Sequence, residues 1–211
     1  PKGYVSIELA DGSILQVQPD TQVRLEQTQA HESVGFLRAT WELVRGRVTS
    51  WVRPQPEPKP RHQVRTPQAV LAVRGTEFRV QATEQLTRAE TLSGKVAIQT
   101  AKDAQQVLSA DQGLLVDGST VRPQTRRLPA APDIGDGQRQ FERPLVKLDA
   151  GEVPGAQGYR FQVASDARFQ HMLLEAHTTE PVLRTADLPD GELHWRVRAQ
   201  DAQGLEGRDA V

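Results

Sequence analysis

The 211-residue chain carries 26 Lys and Arg against 27 Asp and Glu, a formal net charge of −1, with 37% hydrophobic and 25% charged residues. That length holds one or two domains, and the apolar share is enough for a core, which argues against global disorder and against a membrane-spanning chain. The absence of cysteine rules out disulfides, Cys-ligated zinc, thiol nucleophiles and redox CxxC chemistry.

Charge is spread as evenly as it is balanced. Residues 1–122 hold 15 basic and 13 acidic residues, and residues 123–211 hold 11 and 14. Neither half has the basic excess of a nucleic-acid binder. The chain begins at Pro1 rather than Met, so an upstream signal, anchor or further domain is expected, and no compartment follows from the missing leader.

Period-two alternation dominates the first 122 residues. Val5, Ile7 and Leu9 alternate with Ser6 and Glu8, and Asp11-Gly12-Ser13 breaks the run as a turn. Residues 14–17 and 23–25 resume it, and short strands are expected at 36–37, 43–44 and 48–52. After residue 60, further strands are expected around Val64, 69–73, 78–80, 86–89, 96–98, 106–108, 114–116 and Val121, with turns at Gly75, Gly94, Gly113 and Gly118. No helix longer than two turns is visible there.

Between these groups, residues 53–60 place proline at every second position. Proline cannot donate to a ladder or continue a helix, so the stretch reads as an exposed polyproline-II loop. A weak internal echo links Glu42-Leu43-Val44-Arg45-Gly46-Arg47-Val48 to Glu90-Thr91-Leu92-Ser93-Gly94-Lys95-Val96. Two loose copies indicate similar hairpins or coils stacked in one β domain, not a regular solenoid.

Residues 123–140 lose the hydrophobic spacing and hold Pro123, Pro129, Pro132, Gly135 and Gly137, so a linker is expected there. From Phe141 onward strands return. Residues 158–164 alternate cleanly, and Leu193, Trp195, Val197 and Ala199 share one face of a later strand. The expected organisation is a β domain at 1–122, the linker at 123–140 and a small β-sandwich at 141–211, with a last strand that ends near or beyond Val211.

No motif for catalysis, cofactor or metal is present. His31, His62, His171, His177 and His194 form neither HxH nor HExxH, and GxSxG, P-loop and GxGxxG patterns are absent. The acidic residues offer no preferred glycosidase pair. The expectation is a non-enzymatic protein without cofactor.

Two segments carry resemblances. The run Thr66-Pro67-Gln68-Ala69-Val70-Leu71-Ala72-Val73-Arg74-Gly75-Thr76-Glu77-Phe78 resembles the signature of the FecR domain family, and the Asp11-Gly12-Ser13 turn and both Gly-basic-Val segments resemble its surroundings. The resemblance covers about residues 1–122 and implies an all-β, twisted, β-helix-like stack of short strands. It implies a place in periplasmic regulators that relay signals from outer-membrane receptors to sigma factors, or in envelope proteins joined to peptidoglycan-binding LysM modules. Within the run, Pro67 biases Thr66 toward extended geometry, Gly75 permits positive φ at a corner, Thr76 can bond turn backbone and Phe78 is the expected core anchor. Arg74 is expected to pair with Glu77 or Glu90, or to cap carbonyls.

Residues 159–164, Asp166, Phe169, residues 188–191 and 195–198 with 201–204 resemble a fibronectin type III-like module. The resemblances together favour a periplasmic interaction or scaffolding part of a larger peptidoglycan-associated protein, with the sensor part of a sigma-factor regulator as the alternative. The expected partners are an envelope protein or peptidoglycan held through an upstream region, with no nucleic acid and no membrane span. Should residues 1–122 carry a contact surface, Arg45, Arg47 and Trp51 beside the proline loop are its candidates, since basic and aromatic side chains suit anionic polymers and sugar rings.

Overall fold

The computed structural model describes residues 3–31, 36–54, 62–102, 104–119, 122–136, 140–141 and 145–211, with only the backbone path described at 27–31 and 36–38. Seventeen strands and no helix occur among them. No helix of the described residues is therefore long and apolar enough to cross a membrane. The chain divides into two compact units, Pro1–Arg127 and Leu128–Val211.

The first unit holds β1 (Val5–Glu8), β2 (Ile14–Val17), β3 (Gln22–His31), β4 (Phe36–Trp51), β5 (His62–Arg65), β6 (Ala69–Val73), β7 (Glu77–Ala82), β8 (Leu86–Ser93), β9 (Lys95–Thr100), β10 (Gln105–Ser109), β11 (Gln112–Asp117) and β12 (Arg126–Arg127). They form one 12-stranded sheet with the main path β10-β9-β6-β5-β4-β7-β8-β11-β12. Every pairing is antiparallel except β4 with β5.

The sheet curls because β4 serves two halves. Its first part pairs with β3 and β5, and its last six residues pair with β2 and β7. The three short strands expected between residues 36 and 52 are thus one strand of 16 residues, bent where Gly46 adopts φ +97°. A Cβ on Gly46 would lie 2.5 Å from the Thr21 Cα, so only glycine fits the bend. Thr21 holds the bend from the other side: its Oγ1 accepts the Arg47 N–H at 2.9 Å.

After β4 the chain alternates in pairs between the halves. Strands β5–β6 lie in one, β7–β8 in the other, β9–β10 in the first again and β11–β12 in the second. Alternation in sequence supplies the faces. In β9, Val96, Ile98 and Thr100 point inward while Lys95, Ala97 and Gln99 are exposed. Leu15, Val48, Val80 and Leu114 from one half meet Trp41, Leu43, Val64, Leu71, Ile98 and Leu108 from the other in one core.

In the second unit β13 (Val146–Asp149) pairs with β16 (Val182–Thr185), and β14 (Gly158–Ala164) sits between β15 (Met172–Thr178) and β17 (His194–Gln200). The two small sheets share a core of Leu148, Tyr159, Phe161, Val163, Leu183, Trp195 and Val197, with the Trp195 ring stacked on Phe161 at 6.3 Å between centroids. The tight bend after β14 is held by Asp166, whose carboxylate accepts the backbone N–H groups of Arg168, Gln170 and His171. Below it, Phe169 is buried and faces the Arg196 guanidinium at 4.2 Å.

The expected linker divides between the units. Arg126 and Arg127 pair with Gly113 and Gln112 of β11, and Ile134 enters the second core. The Asp133 carbonyl accepts the Gly151 N–H at 2.6 Å. The strand expected at Val121 and the proline run from residue 55 lie outside the described residues.

Candidate functional site

The Thr66–Phe78 run folds as the turn after β5, all of β6, a corner and the start of β7. Thr66 Oγ1 accepts the Ala69 N–H at 3.0 Å and closes the turn that Pro67 opens. Two further side chains tie this turn to the β7–β8 turn. Thr87 Oγ1, fully buried, lies 2.8 Å from Thr66 Oγ1 and 2.7 Å from Gln68 Oε1, and Gln68 Nε2 donates to the Glu84 carbonyl at 2.8 Å. Nothing in the local pattern marks Gln68 as buried; its role appears only when two distant turns meet.

Val73 and Phe78 are core residues at 1% exposure each. Between them the chain crosses from one half of the sheet to the other at Gly75, φ +60°, where a Cβ would lie 2.7 Å from the Pro54 Cα. Thr76 is buried and its backbone carbonyl accepts the Val52 N–H at 2.9 Å. Arg74 is exposed. Glu90, weighed as its partner, is buried between two other arginines, with Arg47 Nη2 at 3.9 Å and Arg79 Nη1 at 3.8 Å.

That arrangement corrects the expected contact surface. Arg45 is exposed beside the bend and Trp51 is half-buried at the end of β4, but Arg47 is only 4% exposed. Arg47 Nη2 donates to Gln81 Oε1 at 3.0 Å, and Arg88 Nη1 approaches the same oxygen at 3.4 Å. Register explains the cluster: Arg47 lies opposite Gln81 and Arg79 opposite Glu90, so the side chains stand on one face of β4, β7 and β8. Arg45, Arg47 and Trp51 therefore do not form one exposed patch.

The Asp11-Gly12-Ser13 turn binds the strand ends on either side of the proline stretch. Ser13 Oγ accepts the Arg53 N–H at 3.1 Å, just past β4, and Asp11 Oδ2 meets His62 Nε2 at 2.9 Å, at the start of β5. The Asp11 and His62 side chains are both about nineteen-twentieths buried, at 5% exposure. Burial opposes ionisation of Asp11, but the Ser13 backbone N–H and the His62 ring outweigh it and hold the carboxyl below its ordinary 3.8. The folded state thus binds fewer protons than the unfolded chain near that value. The stabilisation is complete above the ordinary aspartate range and is lost as pH falls through the lowered value. Asp11→Asn is expected to cost about 1.5 kcal/mol at neutral pH, the scale of one charged hydrogen bond. The deficit relative to wild type should shrink between pH 5 and pH 3, measured by urea unfolding at each pH; a deficit constant across that range would contradict the assignment.

Among the described residues no group of three or more His, Cys, Asp or Glu is placed to hold a metal ion. What the first unit offers is a β scaffold with buried polar clusters, one where two turns meet at Thr66, Gln68 and Thr87 and one on a face of β4, β7 and β8.

Comparison with known proteins agrees with that scaffold. Residues 1–97 match the family described as FecR protein, a span that runs from β1 into β9. Two crystal structures of a "putative anti-sigma factor" from Parabacteroides distasonis ATCC 8503 share the fold, each with a TM-score of 0.50 and 21% identity. The similarity covers 60% of this chain and 56% of that one, so little more than half of the solved chain is represented. No curated protein matches.

Proposed function

We propose that residues 1–127 form the periplasmic sensing part of a FecR-type regulator of an extracytoplasmic-function sigma factor. The observation that carries this reading is the FecR family match over residues 1–97. The name of the solved relative points the same way. Of the two readings open from sequence, the comparisons favour the regulator; peptidoglycan scaffolding through an attached LysM part has none behind it. The chain acts by binding, in keeping with the absence of any catalytic motif in the sequence. The second unit is a fibronectin type III-like module, a reading supported by its strand order, with β13–β16 facing β15–β14–β17 across one core.

The test is made in cells that carry the complete protein. Deleting the segment that encodes residues 1–127 is expected to alter transcription of one defined, sigma-dependent gene set and leave the rest unchanged. In parallel, purified chain is mixed with peptidoglycan sacculi and sedimented, with the chain expected to stay in the supernatant. Unchanged transcription together with co-sedimentation would overturn the regulator in favour of the scaffold.

A further inference from the structure

We propose that the fold singles out Asp190 as a site of spontaneous main-chain modification, where the side-chain carboxyl closes on the Gly191 nitrogen to a succinimide and reopens as isoaspartate. The proposal goes beyond the regulatory reading and does not depend on it.

The chain holds four Asp-Gly pairs, Asp11-Gly12, Asp117-Gly118, Asp136-Gly137 and Asp190-Gly191. In such pairs an aspartate turns most readily on its own backbone, because glycine has no Cβ to shield the nitrogen that the carboxyl must reach. From the acid form of the carboxyl, Gly191 N bonds to Asp190 Cγ, and the carboxyl hydroxyl leaves with the amide proton as water. Water then reopens the ring. Attack at the Asp190 main-chain carbonyl carbon breaks the original peptide bond and leaves the chain running through Cβ and Cγ, with the main-chain carboxyl free. The water lost in closure is returned, and nothing else is consumed.

Gly137 lies outside the described residues, and the other three pairs differ in what restrains them. Asp11 is locked: its side chain is 5% exposed, Oδ1 accepts the Ser13 N–H at 2.9 Å and Oδ2 meets His62 Nε2 at 2.9 Å. The following nitrogen is engaged as well, since the Gly12 N–H donates to the Leu9 carbonyl at 2.8 Å. Asp117 ends β11 opposite Leu86, and its Oδ1 accepts both the N–H and the hydroxyl of Ser119, at 2.8 and 2.7 Å. Those bonds must break before Cγ can swing onto the Gly118 nitrogen and shed an oxygen.

Asp190-Gly191 has none of these restraints. Both residues are exposed in the stretch 186–193 between β16 and β17, outside every ladder. Among the described residues, neither the Asp190 carboxylate nor the Gly191 N–H has a hydrogen-bond or ion-pair partner. The space beside Gly191 is empty, since a Cβ there would meet nothing within 4 Å. Exposed loop tips of this kind are where a chain tolerates local rearrangement. The isoaspartyl linkage adds a carbon to the main chain. The extra atom enters the crossing from the β13–β16 sheet to the β15–β14–β17 sheet, between Leu188 and Leu193, both of which pack against the core.

The full chain is kept at neutral pH and physiological temperature, sampled over weeks, digested and read by electron-based fragmentation, which separates the two linkages although their masses are equal. Isoaspartate is expected first at Asp190, at several times the fraction found at Asp11 or Asp117. In the urea-unfolded chain the three pairs should convert at similar rates, because the restraints are gone. Asp190→Glu, whose ring would need a further member, should give no rearranged product at that position, and the site is exposed, so the variant keeps the fold. A short peptide of residues 186–194 sets the time scale. A folded chain that stays unmodified while the peptide converts, conversion first at Asp11 or Asp117, or the same preference for Asp190 in urea would overturn the proposal.

Discussion

Replacing Gly46 with valine is expected to destabilise the first unit by about 3 kcal/mol or more, through two additive strains. The first is the backbone. At φ +97° a β-branched residue is an outlier, and the strand must either keep that strain or straighten. The second is space. The new Cβ would sit 2.3 Å from Thr21 Oγ1 and 2.5 Å from Thr21 Cα, and backbone cannot swing aside as a flexible side chain can. Straightening offers no relief, because the residues after the bend pair with β2 and β7 while those before it pair with β3 and β5. Urea unfolding measures the loss. The exposed Gly118, where a Cβ meets nothing within 4 Å, provides the control, with Gly118→Ala expected within about 0.5 kcal/mol of wild type.

The second large effect belongs to the other unit. Glu206→Gln is expected to cost about 3 kcal/mol, because a buried ion pair that loses one partner leaves the other charge uncompensated. Glu206 has no exposure, its Oε1 accepts from Arg160 Nε at 2.8 Å, and its Oε2 lies 3.3 Å from Arg198 Nε. Arg160 and Arg198 face each other across β14 and β17, so without the carboxylate two guanidinium groups stand side by side. Asp209, 3.3 Å from Arg198 and 3.4 Å from Arg196, absorbs part of the excess, and Glu175 at 2.7 Å from Arg160 absorbs more. The glutamine keeps the shape and one acceptor, which isolates the charge. The contrasting substitution is Glu42→Gln, whose partner Arg24 is 62% exposed; water screens that pair, and the change should stay below about 1 kcal/mol. Equal losses in the two variants would show that burial is not what gives Glu206 its weight.

Strand identity was legible wherever one face is apolar and the other polar. Residues 158–164 and 193–199 could be read directly, as could β6 and β9. The corners at Gly75 and Gly94 were legible too, since these glycines stand between alternating runs, but Gly113, expected as a turn, lies buried inside β11. Burial of polar faces was not. All seven residues of β14 are buried, although alternation alone assigns Arg160 and Gln162 to solvent. Arg47 misled for the same reason: its partners Gln81 and Glu90 lie 34 and 43 positions away in sequence, and no local pattern records a pairing made by register. The elements inside residues 123–140 were hidden by brevity. A two-residue strand such as β12 has no period, and a single Ile134 among Pro, Gly and Asp gives no stripe. The bend at Gly46 was visible as a glycine, but a turn between strands and a kink within one strand look alike without the neighbours on both sides.

Strand β4 belongs to both halves of the curled sheet, and this decides how the first unit comes apart. A sandwich of separate sheets can lose one layer and keep the ladder of the other. Here the ladders of the two layers are spliced through a common member, so shearing either half pulls on the backbone that registers the other. The splice makes residues 1–127 a single mechanical element: a load applied at β3 is felt at β7 through one continuous chain, without passing through side-chain packing.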